Sequence, residues 1–229
     1  MAVQELDIEV PIDYRRIEGI LSLPDHARSL VLFVHGNGSG RFSPRDRQVA
    51  DLLRSAQIAT LLVHLLTSDE DAIDAQSGLL HFDVYLLADR IEAITDWAET
   101  NELLRTLRLG YFGADTSAAA ALIAAARRPS SVGAIVSRGG RPDLAGPALA
   151  HLRAPTLFIV GGEDHEAIEL GQEALARISA PQKQLRLIAG ATHLFEEAGA
   201  LQQVAALARD WFETFLEGGP AIQPGAEAR

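Results

Sequence analysis

The segment LRLGYFGADTSAAAA, Leu107–Ala121, is the most informative part of this sequence. It begins as an apolar strand, turns through Gly113–Ser117 and continues as an alanine-rich helix. Such a turn from a strand into a helix exposes one side chain at its apex, and in the common G-x-S-x-G pattern that side chain is a nucleophilic serine. Here the residue at the apex is Asp115. The segment therefore predicts a reactive site built on a carboxylate.

Predicted strands and helices alternate on both sides of this segment, from Leu30 to Phe215. Continuous apolar runs predict strands that are buried on both faces, and apolar residues at three- and four-residue spacing predict helices. The alternation predicts an α/β fold: a doubly wound, mostly parallel sheet of about eight strands, covered by helices on both faces. The predicted buried strands are Leu30–Val34, Ile58–Leu66, Leu107–Gly113, Val132–Val136, Pro155–Val160 and Gln184–Ile188, and the predicted helices include Phe82–Thr100, Ala118–Ala126, Ala167–Ile178 and Ala198–Leu216.

Outside this alternation the chain has simpler patterns. Val3–Val10 and Arg16–Leu23 alternate apolar and polar residues, which predicts an antiparallel hairpin with one face toward solvent. Thr67–Gly78 is polar and is predicted to be a loop. The connection from Val136 to Pro155 is too short for a substantial cap, so we expect an open site.

The domain organisation follows from the absence of a linker-like composition inside the chain. We expect one domain over residues 1–217. Residues 218–229 are rich in glycine, proline and alanine, and we expect them to form a disordered tail.

The composition excludes several classes of function. The 229 residues carry a formal net charge of −11, so we expect no nucleic-acid or membrane partner. They include no cysteine, which excludes disulfides and thiolate metal sites. Met1–Glu9 lacks the apolar segment of a signal peptide, and no apolar run approaches the roughly 20 residues of a membrane helix. We expect a cytoplasmic protein with a small-molecule substrate, and the sequence leaves a homodimer open.

Three reactive side chains lie at the C-terminal ends of predicted parallel strands: Asp115, Asp164 and His193. The carboxyl ends of parallel strands meet at one edge of an open α/β sheet, where ligands bind. A histidine takes up a proton near neutral pH, and a neighbouring carboxylate fixes its tautomer and stabilises the imidazolium. The sequence therefore predicts a catalytic triad of Asp115 as nucleophile, His193 as base and Asp164 as the residue that orients the histidine.

Two backbone donors and one cation complete the predicted site. The backbone N–H groups of Asn37, in a glycine-rich loop after the first buried strand, and of Thr116 are predicted to hold a developing oxyanion. The loss of one such donor costs about 3–4 kcal/mol of transition-state stabilisation. Arg138 follows another predicted strand, where it is expected to bind an anionic substrate or to pair with Asp143.

Four motifs together carry a family resemblance: HGNGSG at 35–40, GADTS at 113–117, GGED at 161–164 and GATHLF at 190–195. With these motifs the chain resembles the α/β-hydrolases over about residues 5–216, and in particular the small, capless dienelactone hydrolase-like proteins. The order nucleophile, acid, histidine is also that of α/β-hydrolases. The resemblance implies hydrolysis of a small ester or lactone through a covalent intermediate, with no metal and no organic cofactor.

The sequence departs from the family pattern at two residues. Ser117 replaces the second glycine of the turn, which is a mild change because serine is small. Asp115 replaces the family's serine or cysteine and changes the reaction, because a carboxylate that attacks an ester carbonyl yields a mixed anhydride. A carboxylate attacks an sp³ carbon more readily, as in the haloalkane dehalogenases and epoxide hydrolases of this superfamily, and a histidine then activates water to cleave the ester.

The sequence leaves the reaction open between these alternatives. The haloalkane dehalogenases and epoxide hydrolases generally carry a cap domain, and the dehalogenases have a tryptophan where this chain has Thr116. If Asp115 is the nucleophile, the substrate is a compound with a carbon–halogen bond or an epoxide. The alternative is a catalytically impaired member, with serine replaced by aspartate, that binds a small molecule or regulates. The other histidines show no metal-ligand spacing and are interpreted as surface or satisfied polar groups: His26, His64, His81, His151 and His165.

Overall fold

The computed structural model describes residues 3–36 and 40–218. These residues form an eight-stranded sheet with helices on both faces, which confirms the predicted fold class. The strands are β1 (Val3–Ile12), β2 (Arg15–Pro24), β3 (Ser29–His35), β4 (Ala59–His64), β5 (Arg108–Ala114), β6 (Val132–Gly140), β7 (Thr156–Gly161) and β8 (Lys183–Ile188). The helices are α1 (Pro44–Ser55), α2 (Ser68–Ser77), α3 (Val84–Thr100), α4 (Asp115–Arg127), α5 (His165–Arg177) and α6 (Ala200–Leu216).

The strands lie side by side in the order β1-β2-β4-β3-β5-β6-β7-β8. β1 and β2 form the predicted antiparallel hairpin, and β2 is also antiparallel to β4. The remaining neighbours, from β4 across to β8, pair in parallel. Because parallel strands end at the same edge, the loops that follow β3, β5, β6, β7 and β8 meet on one side of the sheet.

The central strands contribute to two apolar cores, one on each face of the sheet. In β3, Val31 and Phe33 belong to the core formed with α1 and α6, whereas Leu32 and Val34 belong to the core formed with α3 and α4. A strand that is buried on both faces needs apolar residues at every position. This explains why the central strands are continuous apolar runs in the sequence.

Helix α4 packs closely on the sheet because it is built from small residues. Every residue from 116 to 125 is buried. At the end of β5, a Cβ on Gly113 would lie 2.7 Å from the Cα of Ala118. Glycine is therefore required for the chain to turn this sharply from β5 into α4.

The segment Thr67–Gly78 is the helix α2, and its prediction as a loop was wrong. Thr67 and Glu70 form a capping box: the Thr67 side chain accepts the Glu70 N–H at 3.3 Å, and the Glu70 carboxylate accepts the Thr67 N–H at 2.9 Å. Gly78 ends the helix in the left-handed conformation, with φ of 64°. These caps support a helix whose buried residue is polar, Asp74.

The connection from β6 to β7 consists of 3-10 turns over Pro142–His151 and carries no cap-sized insertion. Among residues 3–36 and 40–218, no helix has both the length and the apolar character needed to cross a bilayer. The predicted tail beyond Gly218 lies outside the described residues, as does Asn37.

Candidate active site

Asp115 opens α4 and lines a cavity at the carboxyl edge of the sheet. Its φ of +49° lies in the left-handed region, which costs a non-glycine residue about 1–3 kcal/mol. The Asp115 carbonyl accepts the N–H of Arg141 at 3.1 Å, and Asp115 forms an isolated bridge with Gly140. These contacts with the end of β6 hold the strained turn, while the Asp115 carboxylate is half-exposed at the cavity wall.

His193 belongs to the loop between β8 and α6, and it reaches Asp115 across the ends of β7 and β6. A Cβ on Gly161, the last residue of β7, would lie 2.5 Å from carbonyl oxygens of this loop, so glycine permits the close passage. His193 Nε2 lies 3.1 Å from Asp115 Oδ1, and His193 Nδ1 lies 2.6 Å from Asp164 Oδ2. The three predicted side chains are therefore in mutual contact through the histidine.

Asp164 is held by the start of α5 as well as by the histidine. It is the N-cap of this helix, and its Oδ1 accepts the Ala167 N–H at 3.3 Å. Its side chain is largely buried, with 15% exposed. With one oxygen used for the cap, the other is fixed toward His193.

The pKa of His193 is raised above its usual value. Burial alone would lower this pKa, but the hydrogen bonds to Asp164 and Asp115 and the negative charges of both carboxylates outweigh burial. Nδ1 faces the Asp164 carboxylate and Nε2 faces the Asp115 carboxylate, so each ring nitrogen can donate a proton to a carboxylate oxygen. The arrangement favours an imidazolium between two carboxylates.

The cavity in front of these residues has a volume of about 460 Å³, which suits a small organic molecule. Phe82 and Leu170 contribute apolar surface, and Glu166 adds a third carboxylate to those of Asp115 and Asp164. Within the described ranges, no group of three or more His, Asp or Glu side chains is arranged to hold a metal ion.

The Thr116 N–H lies in the first turn of α4, where N–H groups have no acceptor within the helix. Thr116 lines the cavity, and its hydroxyl donates to the carbonyl of His81 at 2.8 Å. Its predicted partner in the oxyanion hole, Asn37, is not among the described residues. The preceding residue, Gly36, is buried, and a Cβ there would lie 3.3 Å from Ser117 Oγ, so Gly36 lies close to the start of α4.

Within the described chain, Arg138 is not a cavity residue, contrary to the prediction that it binds substrate or pairs with Asp143. Because β6 continues through Gly140, Arg138 lies inside the strand, and its side chain, 7% exposed, lies 3.1 Å from Asp46 of α1. Asp143 pairs with Arg141 instead, through bonds of 2.9 and 2.8 Å. Arg141 follows the end of the strand and lines the cavity.

His81 also lines the cavity, a role that the sequence analysis missed. Its Nδ1 lies 2.6 Å from Asp74 Oδ2, and Asp74 Oδ1 accepts the N–H groups of Leu80 and His81. The available signal was the capping box at Thr67, since a helix that begins there ends close to His81 and carries Asp74 in its last turns.

Solved structures with similar folds are esterases and related hydrolases. A dienelactone hydrolase from Anabaena variabilis has a TM-score of 0.91 and is 48% identical, with 93% of this chain and 99% of that chain covered. A dienelactone hydrolase-like promiscuous phosphotriesterase from metagenomic libraries has a TM-score of 0.75 at 17% identity, covering 94% and 99% of the two chains. A cold-adapted esterase from an Arctic intertidal metagenomic library has a TM-score of 0.73 at 17% identity, covering 93% and 94%. At 17% identity, these last two similarities concern the fold alone.

Curated relatives add a second similarity. A protein of Mycobacterium tuberculosis, named provisionally as a phosphoribosyl transferase, is 51% identical over 207 residues, which are 90% of this chain. The chain spans 45% of the length of that relative. No protein-family model matches the sequence.

Proposed function

Since this chain belongs to the α/β-hydrolase superfamily, we propose that it is a hydrolase with Asp115 as nucleophile, His193 as base and Asp164 as the orienting acid. The observation that carries the proposal is the position of the Asp115 carboxylate. It stands at a strained strand–helix turn, on the wall of the cavity, 3.1 Å from His193 Nε2. A nucleophile at this place has both a cavity for its substrate and a base within hydrogen-bond reach.

The substrate class follows from the chemistry of a carboxylate. Attack by Asp115 on a carbonyl carbon would give a mixed anhydride, whereas attack on an sp³ carbon that bears a leaving group gives a stable ester. We therefore propose a small epoxide or carbon–halogen compound as the substrate. The cavity carries three carboxylates, and its guanidinium, on Arg141, is paired with Asp143, so an uncharged substrate fits best.

The proposed reaction has two steps. In the first, the Asp115 carboxylate attacks the substrate carbon, the bond from that carbon to its leaving group breaks, and an ester forms on Asp115. In the second, His193 takes a proton from water, and the resulting hydroxide attacks the Asp115 carbonyl carbon. The backbone N–H groups of Thr116 and Asn37 are proposed to stabilise the oxyanion that forms there. The ester then breaks and the alcohol leaves with a proton from His193. The Asp115 carboxyl group gives up the proton that it gained from water to solvent, which restores the carboxylate.

The contacts of His193 support this order of events. While Asp115 is charged, its carboxylate helps to raise the pKa of His193 and favours the imidazolium. Esterification removes that charge, so the pKa of His193 falls when a base is needed. Asp164 remains in contact and keeps the ring oriented throughout.

The names of the relatives bear on the proposal to different degrees. Dienelactone hydrolase, the name of the similar Anabaena protein, supports hydrolysis as the class of reaction. The curated relatives are more than twice as long as the matched region, so phosphoribosyl transfer is not proposed for this chain.

The test compares the parent with Asp115→Asn on small epoxides and haloalkanes. We expect turnover by the parent and a loss on the order of 10³-fold or more in the variant, because asparagine is not a nucleophile. Asp210→Asn, at an exposed position of α6, is the matched control and should keep the parent rate. In water labelled with heavy oxygen, the Asp115 carboxylate should acquire label during turnover, detected by mass spectrometry of its peptide. Turnover without label on Asp115 would contradict a covalent ester.

A second function, binding without turnover, is favoured by one observation. His193 Nε2 is already engaged by Asp115, so the resting site offers no free base. This alternative predicts a parent that converts none of these compounds, while Asp115→Ser gains hydrolysis of p-nitrophenyl esters. Conversion of an epoxide or haloalkane by the parent would remove it.

A further inference from the structure

A second histidine–carboxylate pair lines the cavity beside the proposed triad. His81 lies in the 3-10 turn Leu80–Phe82, and its ring centroid lies 4.1 Å from that of Phe82, with the two rings tilted by 42°. The His81 side chain is 19% exposed, and that of its partner Asp74 is 10% exposed. Neither residue has a role in the steps described above.

The bonds of Asp74 fix both the turn and the ring. Its Oδ1 accepts two backbone N–H groups of the turn, and its Oδ2 lies 2.6 Å from His81 Nδ1. Burial alone would raise the pKa of Asp74, but hydrogen bonds from the His81 ring and the backbone lower it below its usual value, so it is a carboxylate. With Nδ1 held by Asp74, Nε2 is the nitrogen of His81 left for the cavity.

The two histidines belong to connections that start on opposite sides of the strand that ends at Asp115. His81 lies in the connection from β4 to β5, whereas His193 follows β8. In the sheet, β4 and β8 lie on opposite sides of β5, the strand that ends at Asp115. The hydroxyl of Thr116 donates to the His81 carbonyl at 2.8 Å, which ties the turn to the start of α4.

Displacement at an sp³ carbon requires the nucleophile and the acid that protonates the leaving group to lie on opposite sides of that carbon. The leaving group departs opposite to the attacking oxygen, so a group that protonates it must stand away from Asp115. His193 is hydrogen-bonded to the Asp115 carboxylate and therefore lies on the same side of the substrate carbon as the nucleophile. Of the other cavity residues, Arg141 keeps its proton in proteins, and the Thr116 hydroxyl is donated to a carbonyl.

We propose that His81, held by Asp74, is the general acid that protonates an oxygen leaving group, and that the substrate is an epoxide rather than a haloalkane. This inference rests on the proposed function of Asp115. A halide leaves without a proton, whereas the oxygen of an opening epoxide needs one, so a second acid has a use with epoxides only.

The proton balance closes over one turnover. As Asp115 attacks the epoxide carbon, the carbon–oxygen bond breaks and the oxygen takes the Nε2 proton of His81, which leaves a hydroxy ester on Asp115 and a neutral imidazole. Water then hydrolyses the ester with His193 as base. The diol is released, the Asp115 carboxylate is restored, and the proton set free by hydrolysis returns to His81 through solvent.

The experiment uses hexene oxide and bromohexane, which share a carbon chain and differ in the leaving group. His81→Gln should lower epoxide opening by about 10²–10⁴-fold, the usual contribution of a general acid, and should largely spare bromide displacement. Asp74→Asn keeps an oxygen for the two backbone N–H groups and should lose part of the epoxide activity only. His151→Gln, at an exposed position outside the cavity, is the control.

The outcomes separate this inference from the proposed function. If the parent converts hexene oxide and His81→Gln keeps its rate, or if His81→Gln slows bromide displacement as much as epoxide opening, the role of His81 is overturned and Asp115 remains the nucleophile. A parent that converts bromohexane but not hexene oxide overturns the assignment of an epoxide. A parent that converts neither overturns the proposed function and the inference with it. To exclude a folding defect, the circular dichroism spectrum of His81→Gln should match that of the parent.

Discussion

His193 lies between two carboxylates, and this position controls when its ring carries a proton. Asp164 is fixed by its bond to the start of α5, so its effect on the ring is constant. Asp115 is the variable partner, because its charge disappears whenever its carboxylate is esterified. In the proposed reaction, Asp115 is therefore both the nucleophile and the residue whose charge sets the pKa of the base.

Asp115→Asn should lower the pKa of His193, because it removes one of the two charges that raise it. The native state of the parent gains stability from the protonated ring at pH below about 6.5, and this gain is lost as the pH rises through the raised pKa. NMR titration of the His193 ring measures the shift, with Asp210→Asn as the distant control. An unchanged pKa in Asp115→Asn would mean that the charge of Asp115 does not act on the ring.

The sequence was sufficient to place Asp115, Asp164 and His193 at one edge of the sheet, because each lies just beyond the carboxyl end of a predicted parallel strand: β5 in the centre, β7 next to the edge and β8 at the edge. Arg138 was misplaced because the end of β6 cannot be read from hydropathy: the strand continues through polar and glycine residues to Gly140. His81 was missed because its partner belongs to a helix with no apolar stripe. Residue types alone did not reveal either arrangement.

The stability of helix α2 depends on the caps at its two ends rather than on a buried apolar face. Asp74 is its buried residue, and packing therefore contributes little to its stability. The capping box and the acidic first turn supply local stabilisation that a hydropathy pattern does not register. The hydropathy pattern predicted the strands and the long helices α3 and α6 because those elements bury apolar side chains. It missed α2 because this helix buries no apolar side chain.

Thr67→Ala should destabilise α2 by about 1 kcal/mol, because the N–H of Glu70 loses its acceptor. Hydrogen exchange of the α2 amides should speed up roughly fivefold, the factor that corresponds to this free energy. Ser68→Ala, at the exposed first position of the helix, is the matched control and should change exchange little. Equal exchange in Thr67→Ala and the parent would show that the cap does not limit opening of α2.

At the scale of the whole molecule, a buried charge cluster joins three elements across the sheet. Asp46 of α1 lies 2.8 Å from His35 at the end of β3 and 3.1 Å from Arg138 in β6. Burial alone would raise the pKa of Asp46, but its contacts with His35 and Arg138 lower it below its ordinary value of 3.8. This cluster fixes α1 and the base of the glycine-rich loop relative to the sheet.

Asp46→Asn should lower the free energy of unfolding by about 3–5 kcal/mol, because the Arg138 charge is left buried without its partner. Since the folded-state pKa of Asp46 is depressed, its contribution is present above pH 3.8 and is lost as the pH falls through the folded value. Urea unfolding at neutral and acid pH measures both effects. Asp210→Asn breaks an exposed pair with Arg209 and should cost at most about 1 kcal/mol. Equal losses in the two variants would contradict a special role for the buried cluster.

The edge position of β8 has a consequence for how the protein loses its site. β8 pairs with β7 alone, and of its residues Ile188 is the buried one. Edge strands with few buried side chains open at a lower free energy than the centre of a sheet, and the loop that carries His193 follows directly. In mild denaturant, the histidine should therefore detach from Asp115 while β3 to β6 remain folded. Loss of the site and global unfolding then become separate transitions. The denaturant concentration at which the site is lost is therefore set by the stability of β8 rather than by that of the core.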